Sequence, residues 1–150
     1  MKTHRFLILC ILCSFATHAF SQIGKIVEID ARPSFFTTDT KGNIYYIDHD
    51  SLVKLIPPYH KFYSFRFGQK EMPDFIDVSN PAQVLCLVRN TQKFFMLDST
   101  LNLILRPFYL DELGIHDIFA AVSSNDMGIW FYDIYTNSLV KLNKNFMPII

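Results

Sequence analysis

The pentapeptide SLVKL occurs twice in the chain, at residues 51–55 and 138–142. Each copy follows an aromatic segment that begins with glycine and contains aspartate near its end: GNIYYID at 42–48 and GIWFYD at 128–133. The two glycines lie 86 residues apart, which is two periods of about 43 residues, the length of one four-stranded unit in a repeat array. KFFMLDSTLNLI at 93–104 fits as the middle copy, with uneven spacing that loop-length variation would produce.

From residue 22 onward, short apolar runs alternate with clusters of turn-forming residues. The runs are four to eight residues long and rich in Val, Ile, Phe and Tyr, which is typical of strands. Asn, Asp, Gly and Pro between them supply the dihedral angles and local hydrogen bonds that turns need. Only LDELGI at 110–115 indicates a helical turn. The sequence therefore predicts an all-β fold for residues 22–150.

Three segments, 39–55, 90–105 and 123–142, resemble the blades of bacterial β-propellers of the NHL and two-component-regulator type. Blades of that family carry an Asp, a Gly, an aromatic strand and a Leu-containing return strand. The resemblance implies an array of about three four-stranded blades, whereas propellers usually close with four to eight. We therefore expect a partial propeller, the first part of a longer protein. The alternatives are three-blade halves that assemble, a β-sandwich, or an open barrel.

The first 21 residues have the three features of a secretory signal peptide. Lys2 and Arg5 form a basic start, residues 6–15 are an apolar run, and Ala19 and Ser21 are small residues suited to cleavage. The run is too short to span a membrane, which takes about 20 apolar residues. We expect residues 1–21 to be removed, with cleavage after Ala19 as the alternative, and residues 22–150 to be secreted or periplasmic without a transmembrane segment.

Cysteine usage agrees with export without disulfides. Cys10 and Cys13 lie in the predicted signal peptide, and Leu12 directly before Cys13 argues against lipidation. Cys86 is then the single cysteine of the mature chain. Its place in VLCLV, at 84–88, predicts a buried strand residue. The alternative is a reactive thiol or an intermolecular bridge.

The charge pattern argues against nucleic-acid binding. The mature chain would hold 12 basic and 14 acidic residues, and its lysines and arginines are scattered singly. Nucleic-acid binders cluster these residues, because phosphate neutralisation supplies most of their affinity. We expect a protein or an envelope component as partner.

Motifs for chemistry are weak. Asp48, His49 and Asp50 suggest calcium, but Leu52 and Val53 follow where a calcium loop continues with acidic residues and glycine, so we predict a turn. The histidines His49, His60 and His116 are too far apart in sequence for a zinc motif. The five glycines never come closer than 14 residues, which excludes the P-loop and the dinucleotide fingerprint, and G-x-S-x-G is absent.

The aromatic and basic stretch at 59–70 could stack bases or sugars, but its alternation favours a strand partly covered by its neighbour. Trp130, the single tryptophan, is expected to pack between blades. The sequence therefore predicts no catalytic, cofactor-binding or metal-binding residue. The expected function is an exported, non-enzymatic binding or scaffold module. The alternatives are part of a propeller enzyme, a lyase or hydrolase, or part of a sensor ectodomain.

Overall fold

The protein is described by a computed structural model that covers residue 28 and residues 33–58, 61–68 and 70–149. The predicted signal peptide, residues 1–21, lies outside the described residues. The described residues form three antiparallel sheets in chain order.

The first and second sheets each have four strands, and each strand pairs with the next one along the chain. The first sheet consists of β1 (Phe36–Thr38), β2 (Ile44–Asp48), β3 (Ser51–Ile56) and β4 (Lys61–Arg66). The second consists of β5 (Phe75–Asp77), β6 (Val84–Val88), β7 (Lys93–Leu97) and β8 (Phe108–Tyr109). Such a meander places the first and third turns of a sheet at one end and the middle turn at the other.

The third sheet has three strands, β9 (Ile118–Ser123), β10 (Ile129–Asp133) and β11 (Ser138–Leu142). Pro148 makes an isolated bridge to Leu142, at the position that a fourth strand takes in the other sheets. A short 3-10 helix, Leu110–Leu113, connects the second and third sheets, and it confirms the helical turn indicated by the sequence.

The sheets stack face to face, and the second sheet is covered on both sides. All five residues of β6 are buried. Val84, Cys86 and Val88 share an apolar cluster with the first sheet, whereas Leu85 and Leu87 share one with the third. Alternate residues of a strand point to opposite faces, so one strand serves both clusters. Three sheets stacked in this way form consecutive blades, not the two layers of a sandwich.

The middle copy of the repeat lies one strand earlier than the sequence suggested. KFFML at 93–97 is β7, the third strand of its sheet, and the second strand is VLCLV. After β7, residues 98–107 contribute one bridge, Leu97 to Leu103, in place of a regular strand. β6 is buried on both faces and apolar throughout, and it lacks the aromatic pattern of β2 and β10.

Four five-residue turns with one backbone geometry punctuate the blades: 39–43, 98–102, 124–128 and 143–147. In each, the first residue's N–H donates to the fifth residue's carbonyl, and the fourth residue's N–H donates to the first residue's carbonyl, at 2.8–3.1 Å. The fourth residue always has positive φ, as in a type I turn followed by a left-handed residue. These residues are Gly42, Leu101, Met127 and Phe146. In the first blade, Asp39 and Gly42 of the sequence pattern therefore form a hairpin turn.

Candidate binding faces

Among the described residues, two sheet faces carry no other sheet. The strand registers define them as rows of side chains. We call the outer side of the first sheet the front face; its apolar residues are Phe36, Ile44, Tyr46, Val53, Leu55 and Phe62. We call the outer side of the third sheet the back face; its residues are Val122, Trp130, Tyr132, Leu139 and Lys141.

The front face is an open groove of about 870 Å³. Tyr46, Val53, Leu55 and Phe62 form its apolar part, and Phe62 is 66% exposed. Polar residues of the β2–β3 turn and of β4 line the remainder. The groove therefore offers aromatic and aliphatic surface beside a polar margin.

The Asp48, His49 and Asp50 cluster forms this margin, and its carboxylates have local partners. His49 Nδ1 lies 2.8 Å from Asp48 Oδ1, and Arg66 Nε donates to Asp50 at 2.6 Å. The hydrogen bond from Arg66 holds the pKa of Asp50 below its ordinary value, with a smaller contribution from Ser51. Asp48 is the last residue of β2, and His49 and Asp50 form a two-residue turn to β3, as predicted.

The other candidate groups do not converge with it. His116 Nδ1 lies 3.1 Å from Asp111, beside the 3-10 helix, and His60 is outside the described residues. Within residues 33–58, 61–68 and 70–149, no three His, Cys, Asp or Glu side chains are grouped as metal ligands. Cys86 is fully buried, and burial raises the pKa of its thiol.

The basic and aromatic stretch at 59–70 is divided between two environments. Within β4, Tyr63 and Phe65 pack against the core shared with the second sheet, whereas Phe62 lies on the front face. Phe67 follows β4, is buried, and meets Phe65 and Phe95 edge to face. Tyr63, Phe65 and Phe67 therefore pack on the core, whereas Phe62, Ser64 and Arg66 are exposed on the opposite side.

The back face carries a lysine above an aromatic ring. Lys141 Nζ lies 5.1 Å from the centre of the Trp130 ring and donates to Asp126 at 2.5 Å. The hydrogen bond from Lys141 is the main cause that lowers the pKa of Asp126 to about 2. Trp130 was expected between blades; it is half-buried, and no described sheet covers it.

The first sheet contains the same arrangement in a buried form. Lys54 and Tyr45 occupy the positions of Lys141 and Trp130, because the two SLVKL copies pair in the same register with β2 and β10. Lys54 is 3% exposed, and its Nζ lies 5.2 Å from the Tyr45 ring centre. It donates to the carbonyl oxygen of Ser99, in the second sheet, at 2.7 Å.

Burial is the main cause that lowers the pKa of Lys54. The lysine is thus a polar contact within an apolar junction between blades. The identical SLVKL copies indicated that Lys54 and Lys141 occupy matching positions. The sequence alone did not show that Lys54 is buried against another sheet whereas Lys141 lies on the back face.

Within the described residues, no helix combines the length and hydropathy needed to cross a lipid bilayer.

Similarity to known proteins is confined to the fold. No protein-family model matches the chain, and no curated protein matches it. Among solved structures, virginiamycin B lyase from Staphylococcus aureus superposes with a TM-score of 0.57 at 12% identity, over 83% of this chain and 42% of the lyase. Apo AztD from Citrobacter koseri superposes with a TM-score of 0.61 at 8% identity, over 85% of this chain and 36% of AztD. A luciferin-regenerating enzyme superposes with a TM-score of 0.52 at 15% identity, over 79% of this chain and 44% of the enzyme.

The chain thus spans less than half the length of each of these solved structures. At such low identity the likeness concerns architecture alone. The neighbours are β-propeller-like proteins, and the chain therefore has the fold of a partial β-propeller.

Proposed function

We propose that this chain is an exported, non-enzymatic interaction module, of the NHL and two-component-regulator propeller type, that binds protein through its two outer blade faces. One observation carries the proposal. The back face repeats, at matching positions, the lysine and aromatic pair that the first sheet buries against the second.

The exposed apolar surface supports the same function. Phe36 and Phe62 on the front face and Leu139 on the back face are 64%, 66% and 58% exposed. Large contiguous apolar patches on soluble proteins mark interaction sites. The partner is therefore a protein that presents a flat, apolar face of a β-sheet, which can pack against a blade.

Export is supported by the sequence of residues 1–21, with its basic start, apolar run and small-residue exit. It places the binding faces in the periplasm or outside the cell. The partner is then an exported protein or an envelope component.

A cysteine-labelling experiment tests location and coverage together. Ser64→Cys places a thiol on the front face, and Thr91→Cys places one in the exposed β6–β7 turn, away from both faces. Cys86 stays silent because it is buried. Both variants are produced in the native host and treated with a membrane-impermeant maleimide, with the outer envelope permeable and the inner membrane intact.

We expect the Thr91→Cys thiol to react and the Ser64→Cys thiol to be protected in the envelope, and both to react once the folded protein is purified and diluted. If the Thr91→Cys thiol reacts only after lysis of the inner membrane, the protein is not exported. If both thiols react equally fast in the envelope, the front face is open and the interaction module is refuted.

A further inference from the structure

The proposed function leaves the occupant of the two faces open. Resting on that function, we propose that the occupant is a second copy of this chain. The front face of one protomer packs on the back face of its partner, and the reverse contact forms at the same time. Two three-blade chains then close a six-bladed ring around a two-fold axis.

The direction of stacking favours a head-to-tail contact between two copies. In the second sheet, Val84 and Cys86 face the preceding blade, and Leu85 and Leu87 face the following one. Ile44 and Tyr46 have the same register in the first sheet as Val84 and Cys86 have in the second. The front face is therefore the kind of face that packs against a preceding blade. Trp130 and Tyr132 correspond to the second pair, so the back face is the side that precedes one. The two open faces are therefore of opposite kind and fit head to tail.

The contact of Lys54 between blades has a counterpart at the proposed junction. Lys54 donates to the carbonyl of Ser99 in the next blade. Ser99 is the second residue after Leu97, the last residue of β7, which pairs with Val84 of β6. Across the new junction, Lys141 takes the place of Lys54. Pro57, the second residue after Leu55, takes the place of Ser99 and is exposed. A proline keeps its carbonyl oxygen as an acceptor, so the carbonyl of the partner's Pro57 can accept a hydrogen bond from Lys141 Nζ.

The exposed apolar area of the two faces is large enough for a stable dimer. A fully buried aromatic side chain contributes about 150 to 250 Å². About two thirds of Phe36 and of Phe62 is exposed, and the two-fold axis doubles every contact, so these phenyl groups alone supply on the order of 500 Å². Leu139, Trp130, Tyr132 and the aliphatic residues of the front face add to this. The total reaches the roughly 1,000 Å² that a specific interface requires.

The closed ring is also consistent with known assemblies. Propellers close with about four to eight blades, and two-fold dimers are the commonest soluble oligomers. Closure would cover both apolar faces without leaving an open blade at either end.

The test is sedimentation equilibrium of the purified mature chain together with two face variants and a control. The unmodified chain is expected to have twice the mass of one chain. Leu139→Asp, on the back face, and Phe62→Asp, on the front face, each put an unpaired carboxylate into both junctions of a homodimer. Each is expected to raise the dimer dissociation constant about tenfold or more. Tyr135→Asp is the matched control, because Tyr135 is 84% exposed in the β10–β11 turn, off both faces.

A mixture of the two variants separates this arrangement from other dimers. The Phe62→Asp chain keeps an intact back face, and the Leu139→Asp chain keeps an intact front face. Mixing therefore restores one sound junction, and we expect heterodimers at concentrations where each variant alone is monomeric. Circular dichroism of each variant checks that its strands are retained.

Three results would overturn the inference: a monomer at all concentrations, a dimer insensitive to either variant, or no rescue in the mixture. The proposed function is tested separately. If the purified chain is monomeric but its Ser64→Cys thiol is protected in the envelope, the proposed function stands, the dimer is refuted, and a different protein covers the front face. If both thiols react equally fast in the envelope, the proposed function fails as well.

Discussion

At the scale of single residues, one carboxylate organises the first blade turn. Asp39 is buried and accepts hydrogen bonds from the N–H groups of Lys41 and Asn43, the Asn43 amide and the Tyr45 hydroxyl. Burial raises the pKa of Asp39, but these hydrogen bonds outweigh it and hold the pKa below its ordinary value. The charged form is therefore the one that the fold stabilises.

We predict that Asp39→Ala lowers the free energy of unfolding at pH 7 by about 1 to 3 kcal/mol, because the buried Asn43 and Tyr45 groups lose their acceptor. A lowered folded-state pKa gives stability that is present above the unfolded pKa and is lost as pH falls through the folded one. The difference between wild type and variant should therefore shrink below about pH 4. Urea unfolding at several pH values measures it, and an unchanged difference at low pH would contradict the assignment.

Cys86 gives a second prediction at this scale. Its thiol is fully buried in β6, and burial raises its pKa, so the reactive thiolate is suppressed. We predict no reaction with a thiol reagent at pH 8 in the folded protein and a full equivalent in denaturant. Cys86→Ser should cost about 1 to 3 kcal/mol, because it buries a hydroxyl in an apolar cluster. Fast labelling of the folded protein would favour the reactive-thiol alternative.

At the scale of elements, the blades are built by repeated hairpin turns more than by repeated strands. The strand residues vary with burial, whereas the turn keeps one backbone path and one left-handed residue. Gly128 illustrates a second constraint at a turn, since a Cβ there would lie 2.5 Å from the carbonyl oxygen of Leu142. The glycine is needed for this close approach between β10 and β11.

The left-handed position yields a matched pair of variants. Gly42 has φ 75°, and a Cβ there would meet nothing closer than 3.9 Å, so Gly42→Ala tests backbone strain alone. We predict a loss of about 1 kcal/mol. Met127 has φ 63° and is exposed, so Met127→Gly should relieve the same strain and stabilise the protein by up to about 1 kcal/mol. Chemical denaturation measures both changes in the free energy of unfolding. If both variants changed it in the same direction, the shared turn geometry would be refuted.

The sequence was informative where periodicity and turn chemistry act locally. It predicted the all-β class, the hairpins around both SLVKL copies and the helical turn near Leu110. It misplaced the middle copy, because VLCLV is covered on both sides and carries no alternation. It could not separate Lys54 from Lys141, since their neighbourhoods in sequence are identical and only the position of each blade in the stack decides which is buried.

At the scale of the whole molecule, the blades are held together by apolar clusters with few polar contacts between them. Lys54 is one of these contacts, and Gln92 is another. The Gln92 side chain accepts from the N–H of Ile118 at 2.7 Å and donates to its carbonyl at 3.2 Å. Such contacts fix the relative position of neighbouring blades along their shared faces.

The two matched lysines give a prediction at this scale. Lys54→Ala opens space at a buried junction and removes its hydrogen bond to Ser99, so we expect a loss of about 2 to 4 kcal/mol in the free energy of unfolding. Lys141→Ala should leave the stability of the isolated chain within about 1 kcal/mol while weakening the dimer. Urea unfolding at low and high protein concentration separates the effects. Equal losses for both lysines at low concentration would contradict the assignment of one junction as internal and the other as external.

The most direct measurement is a crystal structure of the purified mature chain, with attention to the surroundings of Trp130 and Lys141. The account predicts that both lie beneath the front face of a second copy, with Lys141 Nζ within hydrogen-bond distance of the Pro57 carbonyl of that copy. A back face open to solvent, or covered by any other surface, would contradict it.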